Sequence, residues 1–163
     1  MLTLQLIRHA KTEQQSASGK DFDRKLTEKG IAQANLLGQY IQYYHLERGK
    51  ILCSTAMRTR QTHSIICQMT SEPCEIDHRG ELYHATKDEL LEVLKKEKAS
   101  TVTIIGHNEG ISDLASYCAD EAIYMQTSEI ITLSFPFLAW EHISLGTGII
   151  SLRYRPEAYL PDC

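Results

Sequence analysis

Leu2, Leu4 and Leu6 alternate with polar residues and run into Ile7, which predicts a strand at the start of the chain. Residues 11–25 are polar and read as a loop. Thr27 can cap a helix, with Glu28 in its first turn, where a carboxylate meets the positive end of the helix dipole. Ile31, Ala34, Leu37, Ile41 and Tyr44 then recur at helical spacing and predict one inward face. A short strand over 51–53 and a helix over 56–69 follow, the helix with Ile65, Ile66 and Met69 inward. Residues 75–77 predict another short strand. Thr86 and Glu89 have the spacing of a capping box ahead of Leu90, Leu91, Val93 and Leu94, hence a third helix. The β-branched run over 101–105 reads as a buried strand ending at Gly106. Ile111, Leu114, Ala115 and Cys118 predict a fourth helix, and 129–135 and 148–154 two closing strands. Strands alternating with helices imply an α/β layered fold with a largely parallel sheet. In such sheets the site lies beyond the carboxyl ends of the strands.

Composition narrows the class. Apolar residues make up 42% and charged residues 23% of 163, which fits one soluble domain spanning 1–163 and excludes a disordered or collagen-like chain. No repeat or linker interrupts it. A net charge of −4 argues against a general nucleic-acid surface. No apolar run approaches the ~18 residues of a membrane helix. The N-terminus lacks the basic region and cleavage site of a signal peptide. These features predict a cytoplasmic protein with no membrane or nucleic-acid partner. Cys53, Cys67, Cys74, Cys118 and Cys163 are scattered, odd in number and never spaced as a CxxC pair, so they read as small hydrophobes. No metal-ligand spacing is present, and no metal or other cofactor is expected.

The strand-end rule selects three places. The first strand ends in Arg8-His9, the second leads into Ser54 and Arg58, and the strand ending at Gly106 continues into His107-Asn108-Glu109. Two imidazoles and two guanidiniums brought together make a cationic nest. Arginine matches phosphate oxygens with a planar fork, and a neutral imidazole is a competent nucleophile near neutral pH. The set suggests phosphoryl transfer through a phosphohistidine, with arginines balancing the charge of the transferring group.

The same residues carry a family resemblance. The segment from Leu6 through Arg8-His9-Ala10 resembles the Arg-His-Gly motif of the histidine phosphatase (phosphoglycerate mutase-like) superfamily, with Ala10 in place of glycine. That replacement, the segment from Asp23-Arg24 to Thr27 and Gly30, and the Ser54, Arg58, Gln61, Thr62 series are similar to the short bacterial SixA-type branch. So are Leu82-Tyr83 with Ala85, and Gly106-His107-Asn108. The resemblance implies a phosphoglycerate mutase-like fold, mostly parallel with helices on both faces. It implies His9 as the phosphorylated nucleophile, Arg8 and Arg58 as phosphate ligands, and His107 as the group completing the pocket. Arg24 matches a further arginine near the phosphate. Asn108 stands where the acid-phosphatase branch carries its aspartate donor, so Glu81, in the region of the mutase branch's glutamate, is the expected proton donor, with Glu109 as competitor.

The expected reaction is metal-independent hydrolysis of a phosphomonoester or phosphoramidate. The substrate is a phosphorylated protein or a small phosphate ester: few residues separate the second and third helices to wall the pocket, which suits a phosphorylated side chain on a protein, and the resemblance to the SixA-type branch implies phosphohistidine. The rivals are a phosphomutase and a non-catalytic phosphoprotein-binding module. Among the rest, Ser54 reads as a helix cap, Thr62 as support for Arg58, and Lys11 and Thr12 as pocket rim. Arg60 reads as outside the pocket. Tyr40, Tyr43 and Tyr44 read as packing, and His45, His63, His78, His84 and His142 as structural, with His84 notable for its closeness to Glu81. The apolar run over 135–140 reads as a buried hairpin end.

Overall fold

The computed structural model describes residues 1–73 and 75–156. Cys74 and Cys163 lie outside them. Strands and helices alternate as β1 (Leu2–Arg8), α1 (Glu28–Tyr43), β2 (Lys50–Ser54), α2 (Met57–Met69), β3 (Glu75–Arg79), α3 (Lys87–Lys95), β4 (Thr101–Gly106), α4 (Gly110–Ala119), β5 (Ile130–Phe135) and β6 (Ile149–Tyr154). Three 3-10 turns, Asp21–Asp23, Gly80–Leu82 and Trp140–His142, sit in the connections. The strands form one sheet in the order β3-β2-β4-β1-β5-β6. β3, β2, β4 and β1 are mutually parallel, and β5 runs antiparallel to both neighbours. The expected fold class, mostly parallel with helices on both faces, is the one observed.

The alternation of β1 divides the core. Leu4 and Leu6 join Leu52, Val102, Ile104, Ile131 and Leu133 beneath α3 and α4. Ile7 points the other way and joins Ile51, Cys53, Ile105 and Ile130 beneath Leu37 and Ile41 of α1 and Ile66 of α2. A strand with a helical layer on each side is buried throughout, and all six residues of β4 are buried. Cys53 and Cys118 are buried free thiols, each pushed up to about 12 by desolvation, which fits small hydrophobes rather than thiolates. Cys67 is only half-buried and contacts the His63 ring. Among the described residues no helix is long and apolar enough to cross a membrane.

Two helices depart from the pattern of apolar spacing. In α1, Ile31 is 43% and Tyr44 56% exposed. The inward stripe is Gly30, Ala34, Leu37, Gly38 and Ile41. The glycines permit close approach: a Cβ on Gly30 would meet the Lys11 carbonyl oxygen at 2.0 Å, and one on Gly38 the Met69 Cβ at 2.8 Å. Apolar periodicity cannot register a contact made by a missing side chain. In α2 the buried set is Arg58, Thr59, Thr62, His63 and Ile66, with Ile65 and Met69 only half-buried. The threonine hydroxyls are satisfied by nearby carbonyls, Thr59 Oγ1 donating to those of Ser54 and Ala56. Thr62 Oγ1 donates to the Arg58 carbonyl at 2.7 Å and accepts the Ala10 N–H at 3.0 Å, joining α2 to the end of β1.

α3 opens with the expected capping box between Thr86 and Glu89. The run over 135–140 is split: Phe135 and Trp140 are buried, and Trp140 Nε1 donates to the Ala99 carbonyl at 2.8 Å, whereas Leu138 is 85% exposed.

One contact locks the loops at the carboxyl end together. Gly110 lies against the Ala85 carbonyl, and an added Cβ would come within 1.9 Å of that oxygen. Gly110→Ala should therefore force backbone apart and lower stability by about 1–3 kcal/mol. Urea unfolding measures this, and an unchanged midpoint would show that the two loops are not in obligatory contact.

Candidate active site

β2, β4 and β1 are neighbours in the sheet and run parallel, so their carboxyl ends lie side by side. Arg8 pairs with Gly106 in register, and the His9 N–H continues the ladder to the Gly106 carbonyl at 3.2 Å. The next residue after Gly106 is His107. The two imidazoles are thereby set with centroids 5.5 Å apart, although 98 positions separate them in the chain.

His9 is 7% exposed, and its Nδ1 lies 2.8 Å from the Ala10 carbonyl. A carbonyl only accepts, so Nδ1 carries the proton and Nε2 holds the lone pair. No described residue hydrogen-bonds that Nε2. Burial, with the charges of Arg58, Arg8 and Arg24, pushes the His9 pKa down to about 3, against an opposing effect of the Ala10 bond. The ring is a neutral base at neutral pH. His107 is 5% exposed and is also pushed down to about 3, by burial first and then by His9, Arg58 and His84. Its Nε2 lies 2.8 Å from Ser54 Oγ. Ser54 thus ends β2 and contacts an imidazole, whereas the helix cap falls on Ala56, which corrects the capping expectation.

Arg58 is 2% exposed. Its Nη1 donates to the Asp21 carbonyl at 2.8 Å and its Nη2 to Asp21 Oδ2 at 3.0 Å. Arg8 Nη1 donates to the Met125 carbonyl at 2.8 Å. Both Nε–H groups are buried without a partner, as is His107 Nδ1. An unpaired buried polar group costs about 1–3 kcal/mol. The three belong to side chains near His9, and an acceptor with several oxygens could satisfy them.

Asp21 was not legible as a site residue, yet it is the carboxylate most involved. Its Oδ2 accepts from the Tyr83 hydroxyl at 2.5 Å and from Arg58, and lies 3.0 Å from His84 Nε2, while its Oδ1 accepts Arg24 Nε at 3.0 Å. The Tyr83 hydrogen bond, followed by those from His84 and Arg58, holds the Asp21 carboxyl well below the usual carboxylate range. The available signal was the three-residue spacing from Asp21 to Arg24 in one tight turn. His84, expected to be structural, stacks on His107 at 5.7 Å and 9°. It adopts φ 54°, a left-handed conformation uncommon outside glycine. Arg24 joins the cluster through Asp21 and through a 3.0 Å bond to the Glu13 carbonyl.

Glu81 lies in the 3-10 turn Gly80–Leu82. It is 54% exposed, and its carboxylate pairs with Arg79 at 3.4 Å. It shares a cavity wall with Tyr83 and His84. Glu109 is exposed at the start of α4, and Arg60 is exposed on α2. Lys11 lines a separate cavity beside Arg8. Among the described residues no group of three or more His, Cys, Asp or Glu side chains is arranged to hold a metal ion.

Comparison with known proteins bears on the family and the fold. The family model of the histidine phosphatase superfamily (branch 1) matches residues 4–83. An uncharacterised protein of Mycobacterium leprae is 27% identical over 150 residues, covering 84% of this chain and 89% of that protein. A candidate phosphohistidine phosphatase SixA of Nakamurella multipartitia superposes with a TM-score of 0.81 at 29% identity, covering 95% of this chain and 96% of the other. A second candidate SixA, from Agrobacterium tumefaciens, gives 0.83 at 23% identity over 95% and 98% of the two chains, a likeness of fold. The chain belongs to the histidine phosphatase superfamily, in its SixA-type branch.

The depressed histidines have a measurable consequence. In an unfolded chain imidazoles protonate near 6.5, whereas His9 and His107 do so in the fold only near 3. The unfolded chain therefore binds more protons between these values. Stability should be full above about pH 6.5 and fall as the pH drops toward 3. Ring proton resonances of His9 and His107 should stay flat from pH 8 to 5 in NMR titrations. A midpoint near 6.5 for His9 would show that it is not held as a neutral base.

Proposed function

We propose that this member of the histidine phosphatase superfamily is a metal-independent phosphatase acting on phosphohistidine in a protein, with residues 1–163 as one catalytic domain. The observation that supports the reading most directly is His9: a buried neutral imidazole with Nε2 unprotonated and unpaired, beside two arginines whose Nε–H groups lack partners. A base without a proton attacks at once, with no preceding proton transfer.

In the proposed sequence the Nε2 lone pair of His9 attacks phosphorus. The bond from phosphorus to the leaving nitrogen or oxygen breaks, and the leaving group departs with that electron pair. Arg8, Arg58 and His107 donate to the phosphoryl oxygens, and Arg24 contributes charge from behind Asp21. These side chains supply the positive charge that a divalent cation supplies in other phosphoryl-transfer sites. Water then attacks the phosphohistidine, the phosphorus–nitrogen bond breaks, phosphate leaves and Nε2 regains its lone pair. The Ala10 carbonyl keeps the proton on Nδ1 throughout and stabilises the ring when it carries charge.

A protein substrate suits the rim of the site. Only β3 and one 3-10 turn lie between α2 and α3, so the described residues hold no inserted wall over the site. A leaving imidazole also needs less help from an acid than an alkoxide does. Glu81 is proposed as the donor for alkoxide leaving groups, from its place on the cavity wall shared with His84.

Rapid quenching with labelled phosphohistidine peptide or aryl phosphate should give an acid-labile, base-stable phosphoenzyme. His9→Ala should abolish both the label and turnover. Label persisting in that variant, or found on Ser54 or a cysteine, would remove the mechanism. Label transfer to a second substrate position rather than to water would indicate a mutase, and binding without turnover a recognition module. Glu81→Gln should slow alkyl phosphates by about 10²–10⁴-fold while sparing aryl phosphates and phosphohistidine. Equal rates on all three would take Glu81 out of the reaction.

A further inference from the structure

The rings of Phe22, Tyr83 and His84 have no part in the proposed phosphoryl transfer, yet they adjoin it. Phe22 lies in the 3-10 turn Asp21–Asp23, and Tyr83 and His84 follow the 3-10 turn Gly80–Leu82. Tyr83 meets Phe22 edge to face, with centroids 5.1 Å apart at 87°, and meets His84 at 4.2 Å and 72°. The same Tyr83 ring stands edge to face with His107 at 5.5 Å and 81°, and His84 lies parallel to His107 at 5.7 Å and 9°. Arg58 Cζ is 5.8 Å from the centre of the Tyr83 ring. The aromatic group therefore borders two of the side chains assigned to the phosphoryl oxygens.

These rings are held in place without being buried. The Tyr83 hydroxyl donates to Asp21 Oδ2 at 2.5 Å, and His84 Nε2 lies 3.0 Å from the same oxygen. A carboxylate only accepts, so Nε2 of His84 carries a proton. Both ring orientations are thereby tied to one anchor. Phe22 and His84 are nonetheless exposed and Tyr83 is half-buried, whereas His9 and His107 are buried. His84 also adopts φ 54°, a left-handed conformation that costs a residue with a Cβ and that recurs where a fold clamps a ligand. Filling the core accounts for neither the exposed phenylalanine nor the strained histidine.

The chemistry of the site gives the rings a use. In an in-line transfer the leaving group stands opposite the nucleophile across phosphorus. His9 is buried, so that group lies on the solvent side of the site, where Tyr83, His84 and Phe22 continue outward from His107. A ring attracts another ring in offset or edge-to-face contact, which a saturated group of the same bulk does not reproduce. An alkoxide such as that of serine would leave the three rings uncovered. An imidazole or phenol ring would pack against them.

We infer that Phe22, Tyr83 and His84 form the subsite for the leaving group, and that it selects a phosphorylated residue whose side chain is an aromatic ring. The inference rests on the proposed phosphatase activity and deepens it by naming the residues that select the substrate. The selection is made in binding, so it appears in the affinity for inert analogues and in KM.

Phenylphosphonate and cyclohexylphosphonate test it, because their carbon–phosphorus bonds are not hydrolysed and the two differ in aromaticity at similar bulk. The wild-type protein should bind phenylphosphonate about threefold to tenfold more tightly in calorimetric titration. Phe22→Leu and His84→Asn should each shrink that preference; asparagine tolerates the left-handed backbone at this position. Tyr124 is the control, since its ring also lies 5.8 Å from a site guanidinium, that of Arg8. Tyr124→Ala should keep the preference. Equal affinity of the wild-type protein for the two phosphonates would overturn the inference, as would a preference that survives both rim variants or is lost only in Tyr124→Ala. Peptides carrying phosphohistidine, phosphotyrosine or phosphoserine supply the turnover arm. Phe22→Leu should raise KM about threefold to tenfold for the aromatic residue that the wild-type protein accepts, and the first two peptides distinguish imidazole from phenol. An equal rise for phosphoserine would refute the subsite. If the wild-type protein turns over none of the peptides, the phosphatase reading fails separately, and the phosphonate affinities still decide the subsite.

Discussion

A guanidinium that is 2% exposed must find a counter-charge within the protein, and for Arg58 that partner is Asp21. Burying an arginine without one costs several kcal/mol. The pairing draws the 3-10 turn Asp21–Asp23 onto the carboxyl edge of the sheet. The same carboxylate then collects the Tyr83 hydroxyl, the His84 ring and Arg24. Three segments distant in sequence are thereby held around one oxygen pair. Arg58 presents its end fork to Asp21, which leaves Nε–H as the group facing no protein partner.

The histidines illustrate a different use of burial. An exposed imidazole near neutral pH would be a mixture of protonation states and tautomers. Packing His9 against the Ala10 carbonyl selects one tautomer, and desolvation with three nearby arginines selects the neutral form. The cost is borne as lost stability at low pH. That arrangement suits a nucleophile and is a poor way to make a merely structural histidine. His63, also buried and pushed down to about 4, instead spends its ring on Cys67 within α2 and stays away from the strand ends.

Charge is distributed unevenly around this centre. Arg8 and Arg58 stand beside His9, four carboxylates lie on the wall beyond Tyr83 and His84, and Arg8, Lys11, Lys29 and Arg155 line another cavity. Net charge conceals this pattern, because an overall value of −4 is compatible with strong local fields of both signs. Glu81 belongs to an ion network, because Arg79 pairs with it and also with Asp77 and Glu97.

The sequence by itself determined the alternation of strands and helices, the capping box of α3 and the identity of the strand-end residues Arg8, His9, Arg58 and His107. These are local or periodic properties, and each strand end is adjacent in sequence to the chemistry it carries. It did not determine which face of α1 is inward, because the close contacts there are made by Gly30 and Gly38, whose signal is the absence of a side chain. Nor did it determine the roles of Asp21, Ser54 and His84. Asp21 meets Arg58 across 37 positions, Ser54 meets His107 across 53, and His84 meets Asp21 across 63. Only the parallel pairing of β2, β4 and β1, and the burial that follows from helices on both faces, brings these side chains within hydrogen-bond reach.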